Sequence, residues 1–194
     1  MESPRIYRCA EWGAQPINRA FPTHEVAGIT IHHSVTANRP PLLGALERWW
    51  GARLARAIQR DHLARGWADS GHHLLLTRGG LVLEGRHGAA VSLLKGLVPV
   101  GAHVGDVEVN KRWVGIEVEG RFDQRYAVTR QQWAKLVDLC AWTCTWGNVD
   151  SQQIQPHSHF KATACPGELR DRVGDLRHAV HDRKLAIRRS LGLS

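Results

Sequence analysis

Val26-Ala27-Gly28-Ile29-Thr30-Ile31-His32-His33-Ser34 runs from apolar and β-branched residues straight into a pair of histidines. Val, Ile and Thr pack well on a pleated, buried surface, so this run reads as a buried strand ending in titratable groups. Asn38-Arg39-Pro40-Pro41 reads as a loop. Beyond it Leu46, Trp50, Leu54 and Ile58 recur every fourth residue, one face of a helix that starts near Leu42 and ends near Gly66. Residues 72–86 read as a hairpin turning at Arg78-Gly79-Gly80, and Gly101 to His103 as a further short strand. Residues 113–119, WVGIEVE, alternate apolar and polar, which puts Glu117 and Glu119 on one face. Thr129 with Gln132 forms a capping box before a stripe of Trp133, Leu136, Val137, Cys140 and Cys144, and Gly147-Asn148 stops that helix. Pro166 opens a last helix with Leu169, Val173, Leu176 and Val180 inward. The order predicts an α/β fold, a mixed sheet covered by helices.

The chain has 194 residues, 43% of them apolar and 23% charged, which suits one large globular domain and excludes a largely disordered chain. No apolar run approaches the roughly 18 residues that span a bilayer. Twenty-six Lys and Arg against 18 Asp and Glu leave a net charge of +8, pointing to a polyanionic partner: nucleic acid, an anionic membrane or an anionic wall polymer. No helix-turn-helix, zinc-finger or aromatic RNA-binding pattern supports a specific nucleic acid. The opening MESPRIYRCAEW lacks the apolar core of a secretory signal, so synthesis in the cytosol is expected. Such a chain does not need disulfides, and Cys140 and Cys144 read as small buried residues on one helix face. Trp50 and Trp133 fall on helix stripes and read as core. Trp49, Trp142 and Trp146 lie off them, where they either stack on sugars or cover the core edge.

Three clusters can carry chemistry: His32-His33-Ser34, His72-His73, and His157-Ser158-His159 with Cys165 eight residues after His157. Imidazole and thiolate are the ligands zinc prefers, and a catalytic zinc takes three of them. Twelve histidines also make chance clusters common, so hydrogen-bonded structural roles stand beside a metal site.

Several stretches, in order, resemble the zinc-dependent N-acetylmuramoyl-L-alanine amidases, which include peptidoglycan recognition proteins and phage lysozymes with amidase activity. They are Glu11-Trp12-Gly13-Ala14, Ile29 to Ser34, Gly66-Trp67-Ala68-Asp69-Ser70-Gly71-His72-His73, Gly101-Ala102-His103, Asn110, Val114-Gly115-Ile116-Glu117, and His157 to Cys165-Pro166-Gly167. The resemblance spans about Glu11 to Arg172. It implies a central mixed sheet of five or six strands, with an N-terminal arm over 1–25, a catalytic amidase domain over 26–175 and a basic helical extension over 176–194. It implies Zn2+ held by His32, His157 and Cys165, and hydrolysis of the amide between the lactyl group of N-acetylmuramic acid and L-alanine. Glu117 is the first candidate for the proton-transferring base and His72, standing where the family commonly has Tyr, the second. Thr163 is a candidate to hydrogen-bond the reacting carbonyl. Each also has a plain reading: Glu117 as a solvated strand residue, His72 as a donor to a carbonyl, Thr163 as a loop cap. His33, Ser34, His103 and Asn110 are assigned to substrate binding along the groove, although His103 could equally fix a loop.

The implied function is that of a monomeric phage endolysin acting on bacterial peptidoglycan, held in the host cytoplasm until release to the wall. Arg177, Arg183, Lys184, Arg188 and Arg189, interleaved with Leu185, Ile187 and Leu191, offer an anionic membrane or wall polymer a contact. A cytosolic recycling amidase and a non-catalytic peptidoglycan-binding module are the alternatives.

Overall fold

The computed structural model describes residues 4–123 and 128–192. Its elements in chain order are β1 (Ile6–Tyr7), α1 (Cys9–Trp12), β2 (Thr23–Glu25), β3 (Gly28–His33), α2 (Gly44–Ala64), β4 (Leu74–Leu76) and β5 (Val82–Glu84), then α3 (Ala89–Leu93), β6 (Leu97–Pro99), α4 (Val107–Arg112), β7 (Trp113–Val118), α5 (Arg130–Trp146), β8 (Ile154–Pro156) and α6 (Val173–Ser190). β3 lies inside a six-stranded sheet of order β1-β5-β4-β7-β3-β8. It pairs in parallel with β7 and β8, β4 is parallel to β7, and β4 with β5 forms the antiparallel hairpin. The sheet is therefore mixed, as expected for its class.

Alternation along the strands gives the sheet two unlike faces. Ile29, Ile31, Leu74, Leu76, Ile116 and Val118 point to one side and pack with Leu136, Leu139 and Cys140 of α5 and Leu176, Val180 and Ile187 of α6. α5 starts at the expected capping box, the Thr129 hydroxyl accepting from the Gln132 N–H and the Gln132 side chain accepting from the Thr129 N–H. On the other side Leu75 and Leu83 pack with Leu54 and Ala55 of α2 and with Cys9 and Trp12 of α1. Residues at both chain ends are built into this body: β1 pairs with β5, and α6 sends three side chains into the larger core. All four cysteines are free thiols.

Three local expectations need correction. Residues 1–25 hold β1, α1 and β2 where an irregular arm was expected. Gly101 to His103 is no strand: its backbone is tied singly, Gly101 N–H to Asn110 O at 2.7 Å and Ala102 N–H to Gly71 O at 3.0 Å. The strand in that region is β6, paired with β2. The apolar stripe of α2 faces inward only in part: Leu54 is buried and Ile58 packs beside it, but the helix is turned away from Leu46. Leu46 is 64% exposed, and the buried positions are Glu47, Gly51, Leu54, Ala55, Gln59 and His62. Polar partners on the sheet side explain the rotation. Gln59 donates to Asp69 at 2.9 Å, and Glu47 joins a buried ion-pair network.

In that network the Arg39 guanidinium donates to Glu47 Oε1 at 2.8 Å and to both oxygens of Glu119 at 2.8 and 2.9 Å. Glu119 also accepts from Trp50 Nε1 and from the Arg78 N–H, each at 2.8 Å. Burial alone would raise the Glu47 carboxyl, but hydrogen bonds from Arg39 and the Gly79 N–H hold it below the usual carboxylate range. A carboxyl depressed in the folded state stabilises the fold above its ordinary range, and that contribution is lost as pH falls through the folded value. Arg39→Ala leaves two buried carboxylates without their cation and should cost about 3–5 kcal/mol in urea denaturation at neutral pH. The gap to the parent chain should narrow in acid, where the carboxylates take up protons; a gap constant with pH would reject this account.

Candidate metal centre

His32 is the last residue but one of β3 and lies opposite Glu117 of β7 in the parallel register. His157 sits in a single 3-10 turn, His157–His159, directly after β8, and Cys165 closes the following loop, where the Ser158 N–H donates to the Cys165 carbonyl at 3.0 Å. Because β8 pairs with β3, that loop is brought against the end of β3. The donor atoms of His32, His157 and Cys165 all lie within 4.8 Å of one another, and the Cys165 sulfur is 3.8 Å from His32 Nδ1. Nε2 of His157 is buried with no hydrogen-bond partner, as an atom reserved for a metal would be. Two imidazoles and one thiol are a donor set that suits zinc.

The far side of His32 is fixed by a buried chain of rings. His103 Nε2 lies 3.0 Å from the Trp113 carbonyl, which can only accept, so this nitrogen carries the proton. His103 Nδ1 is then an acceptor, and His32 Nε2, 3.1 Å away, donates to it. That tautomer, assigned from the hydrogen-bond pattern, leaves the Nδ1 lone pair of His32 facing Cys165. Metal-ligating histidines are commonly oriented in this way. His103 fits because residue 115 is glycine: a Cβ there would lie 2.6 Å from the His103 ring.

Burial is the first cause that lowers His32 well below its ordinary value, with the neighbouring His72, His103 and His157 adding to it. Burial, His72 and Lys161 bring His157 to about 4. Both rings are thus neutral, the form that binds metal. Burial pushes the Cys165 thiol up to about 11, while the His33 N–H donating to its sulfur at 3.4 Å works the other way. Glu117 is 7% exposed. Burial raises its carboxyl, but His72, whose Nδ1 lies 3.3 Å from Glu117 Oε2, together with His62 and His33, brings it below the usual range. It is a buried carboxylate kept charged by imidazoles.

The remaining expected residues are placed as follows. The Thr163 hydroxyl accepts from the Cys165 N–H at 3.3 Å and shapes the ligand loop. Nδ1 of His33 accepts from the Phe122 N–H at 3.3 Å, and the Ser34 hydroxyl accepts from the Gly120 N–H at 3.0 Å. The Asn110 side chain accepts from the N–H groups of His103 and Val104 and donates to the Val104 carbonyl, so it staples the loop under His103. His159 is exposed beside Phe160.

One residue of the site escaped sequence reasoning. His62, in the last turn of α2, stacks on Trp67 at 4.5 Å and 20°, and its Nδ1 accepts from the Gly71 N–H at 3.1 Å. Its ring lies 5.9 Å from that of His72. A cleft of about 430 Å3 opens past Trp67, between Phe21, Arg86 and Ala102. The available signal was spacing: His62 stands five residues before Trp67 in the Gly66–His73 stretch, but no apolar periodicity marks it.

The described residues contain no helix long and apolar enough to cross a membrane. Residues 22–168 match the family model described as N-acetylmuramoyl-L-alanine amidase. The endolysin of Escherichia phage T7 is 28% identical over 117 residues, which cover 57% of this chain and 68% of the phage protein. An endolysin amidase from Clostridium intestinale superposes with a TM-score of 0.61 at 26% identity, over 86% of this chain and 89% of that one. The Drosophila peptidoglycan recognition protein LB superposes with a TM-score of 0.70 at 23% identity, over 91% and 96%, and shows the fold alone. The matched segment begins before the strand that carries His32 and ends beyond Cys165, and the chain belongs to the N-acetylmuramoyl-L-alanine amidase family.

Proposed function

We propose that this amidase is a zinc-dependent endolysin that cleaves the bond between the lactyl carbonyl of N-acetylmuramic acid and L-alanine in bacterial peptidoglycan. The observation that carries this reading is the convergence of His32, His157 and Cys165 within 4.8 Å beside a buried, charged Glu117. The named relatives support the lytic role, since an endolysin of a phage is among them. On this reading the chain resides in the host cytoplasm until it reaches the wall.

When bound by these three residues, zinc supplies Lewis-acid activation of water and polarises the scissile carbonyl. The chain's own residues do the rest. Glu117 is ionised and takes the proton of the attacking water, then returns it to the departing L-alanine nitrogen. His72 Nδ1 faces the Glu117 carboxylate at 3.3 Å and favours its ionised form. His103 holds His32 in the tautomer that presents Nδ1. Thr163 and the His33 N–H shape the surroundings of Cys165.

Product analysis on purified peptidoglycan tests the reaction. New L-alanine amines without new reducing sugar ends, lost on chelation and restored by zinc, are expected; amine release insensitive to chelation would reject the metal. Glu117→Gln should retain bound zinc by metal analysis and lose about 10²–10⁴-fold in turnover. A fully active Glu117→Gln would move the base to His72. His32→Ala and Cys165→Ala should lose both zinc and turnover. His103→Ala should weaken zinc about 10–100-fold in a competition titration with a chromogenic chelator. Unchanged affinity in that variant would show that the ring chain does not orient the ligand.

A further inference from the structure

The outward face of α2 has a composition that folding does not explain. Leu46, Trp49, Arg53, Arg56 and Arg60 succeed one another at three- and four-residue spacing, so they form one stripe along the helix. That stripe lies opposite the buried Gly51, Ala55, Gln59 and His62. Its N-terminal part is apolar and open: Leu46 is 64% exposed, Trp49 58%, and the adjoining Leu43 75%. Its C-terminal part is basic: Arg53 and Arg60 are exposed, and Arg56, also exposed, donates to the Trp12 carbonyl at 2.5 Å. Arg53 stands over the Trp49 ring at 5.9 Å, where the two parts meet. The neighbouring acid, Asp61, already pairs with Arg65 at 2.6 Å.

We infer that this face of α2 docks on an anionic lipid surface. An amphipathic helix lying in the plane of a bilayer buries Leu and Trp at the level of the headgroups and sets Arg against their phosphates. The stripe provides those groups in that arrangement on a chain of net charge +8. A second copy of this chain is a poor occupant, since it would bring like charges together. The C-terminal helix, where sequence suggested a lipid contact, has spent much of its charge on the protein. Arg177 donates to the Ile154 carbonyl at 2.9 Å, Arg183 to Asp138 at 2.7 Å and Lys184 to the Val149 carbonyl at 2.7 Å. Its open side also carries Asp175 and Asp182. The inference rests on the α2 surface alone and stands apart from the amidase chemistry.

Sedimentation of the full chain with vesicles tests it. Vesicles of phosphatidylglycerol with phosphatidylethanolamine should bind the protein, and vesicles of phosphatidylcholine should not. Arg53→Glu/Arg60→Glu and Leu46→Ser/Trp49→Ser should each lower the affinity at least about tenfold. Both variants should keep the parent's circular-dichroism melting curve and its cleavage of purified peptidoglycan. Arg170→Glu/Arg189→Glu, an equal change of charge outside α2, should leave vesicle binding in place. The inference is overturned if the parent ignores anionic vesicles or binds both kinds equally, or if the Arg170/Arg189 pair matches the loss. It is also overturned if Leu46→Ser/Trp49→Ser changes the mass measured by light scattering and not the vesicle affinity, which would make the face a contact between copies.

Discussion

The parallel pairing of β3 with β7, which sets His32 opposite Glu117, is the constraint on which the site depends. Side chains alternate between the two faces, so a slip of one residue would send His32 into the apolar layer and leave Ile31 or His33 beside Glu117. The register is fixed elsewhere. Ile29 and Ile31 on β3 and Ile116 and Val118 on β7 are all fully buried against α5 and α6, and a pairing shifted by one residue does not bury them together. The hydrophobic core thus sets the geometry of polar groups that contribute nothing to it. Gly115, the residue before Ile116, brings no side chain and leaves the space that His103 fills behind His32.

Glu117 and Glu119 show how environment divides two like residues. Glu117 lies in β7 and Glu119 just past its end, two residues on, and both are buried. Glu119 is saturated: Arg39 binds both of its oxygens, and Trp50 and the Arg78 N–H complete the shell. It ties the loop after β3 to α2 and the hairpin. Among the described residues the titratable groups that lower Glu117 are imidazoles, and it lies beside the metal donors. A carboxylate bound by a permanent guanidinium is suited to structure, and one balanced by histidine is suited to proton transfer.

Much of this was legible in the chain itself. The β3 run, the hairpin, β7 with its paired glutamates, and α5 with its capping box and Gly147-Asn148 end all follow from local chemistry. The ligand set was legible only as residue types of the right kind, because spacing along a chain does not show which loops a sheet brings together. The pairing of β8 with β3 does that, and three residues ending at Pro156 carry no strong strand signal. The reading of 101–103 as a strand failed because its backbone partners are scattered between the Asn110 and Gly71 carbonyls. His62 was invisible because its partners, Trp67 and the Gly71 N–H, lie beyond the end of its own helix.

The error over α2 has the same origin as the surface it presents. Periodicity assumes that a helix turns its most apolar stripe inward, because burying that stripe is the main gain of packing. Here the inward face must also supply Glu47 to Arg39, Gln59 to Asp69 and His62 to the site, so it is polar at three of its six buried positions. With the helix rotated to meet those partners, Leu46 is carried outward beside Trp49, which lies off the apolar stripe. Leaving them in water forgoes the burial that would otherwise stabilise the fold. The helix accepts that loss where its polar partners fix it, and the apolar residues left outside stand in line with three arginines, available to a surface that is itself both apolar and anionic.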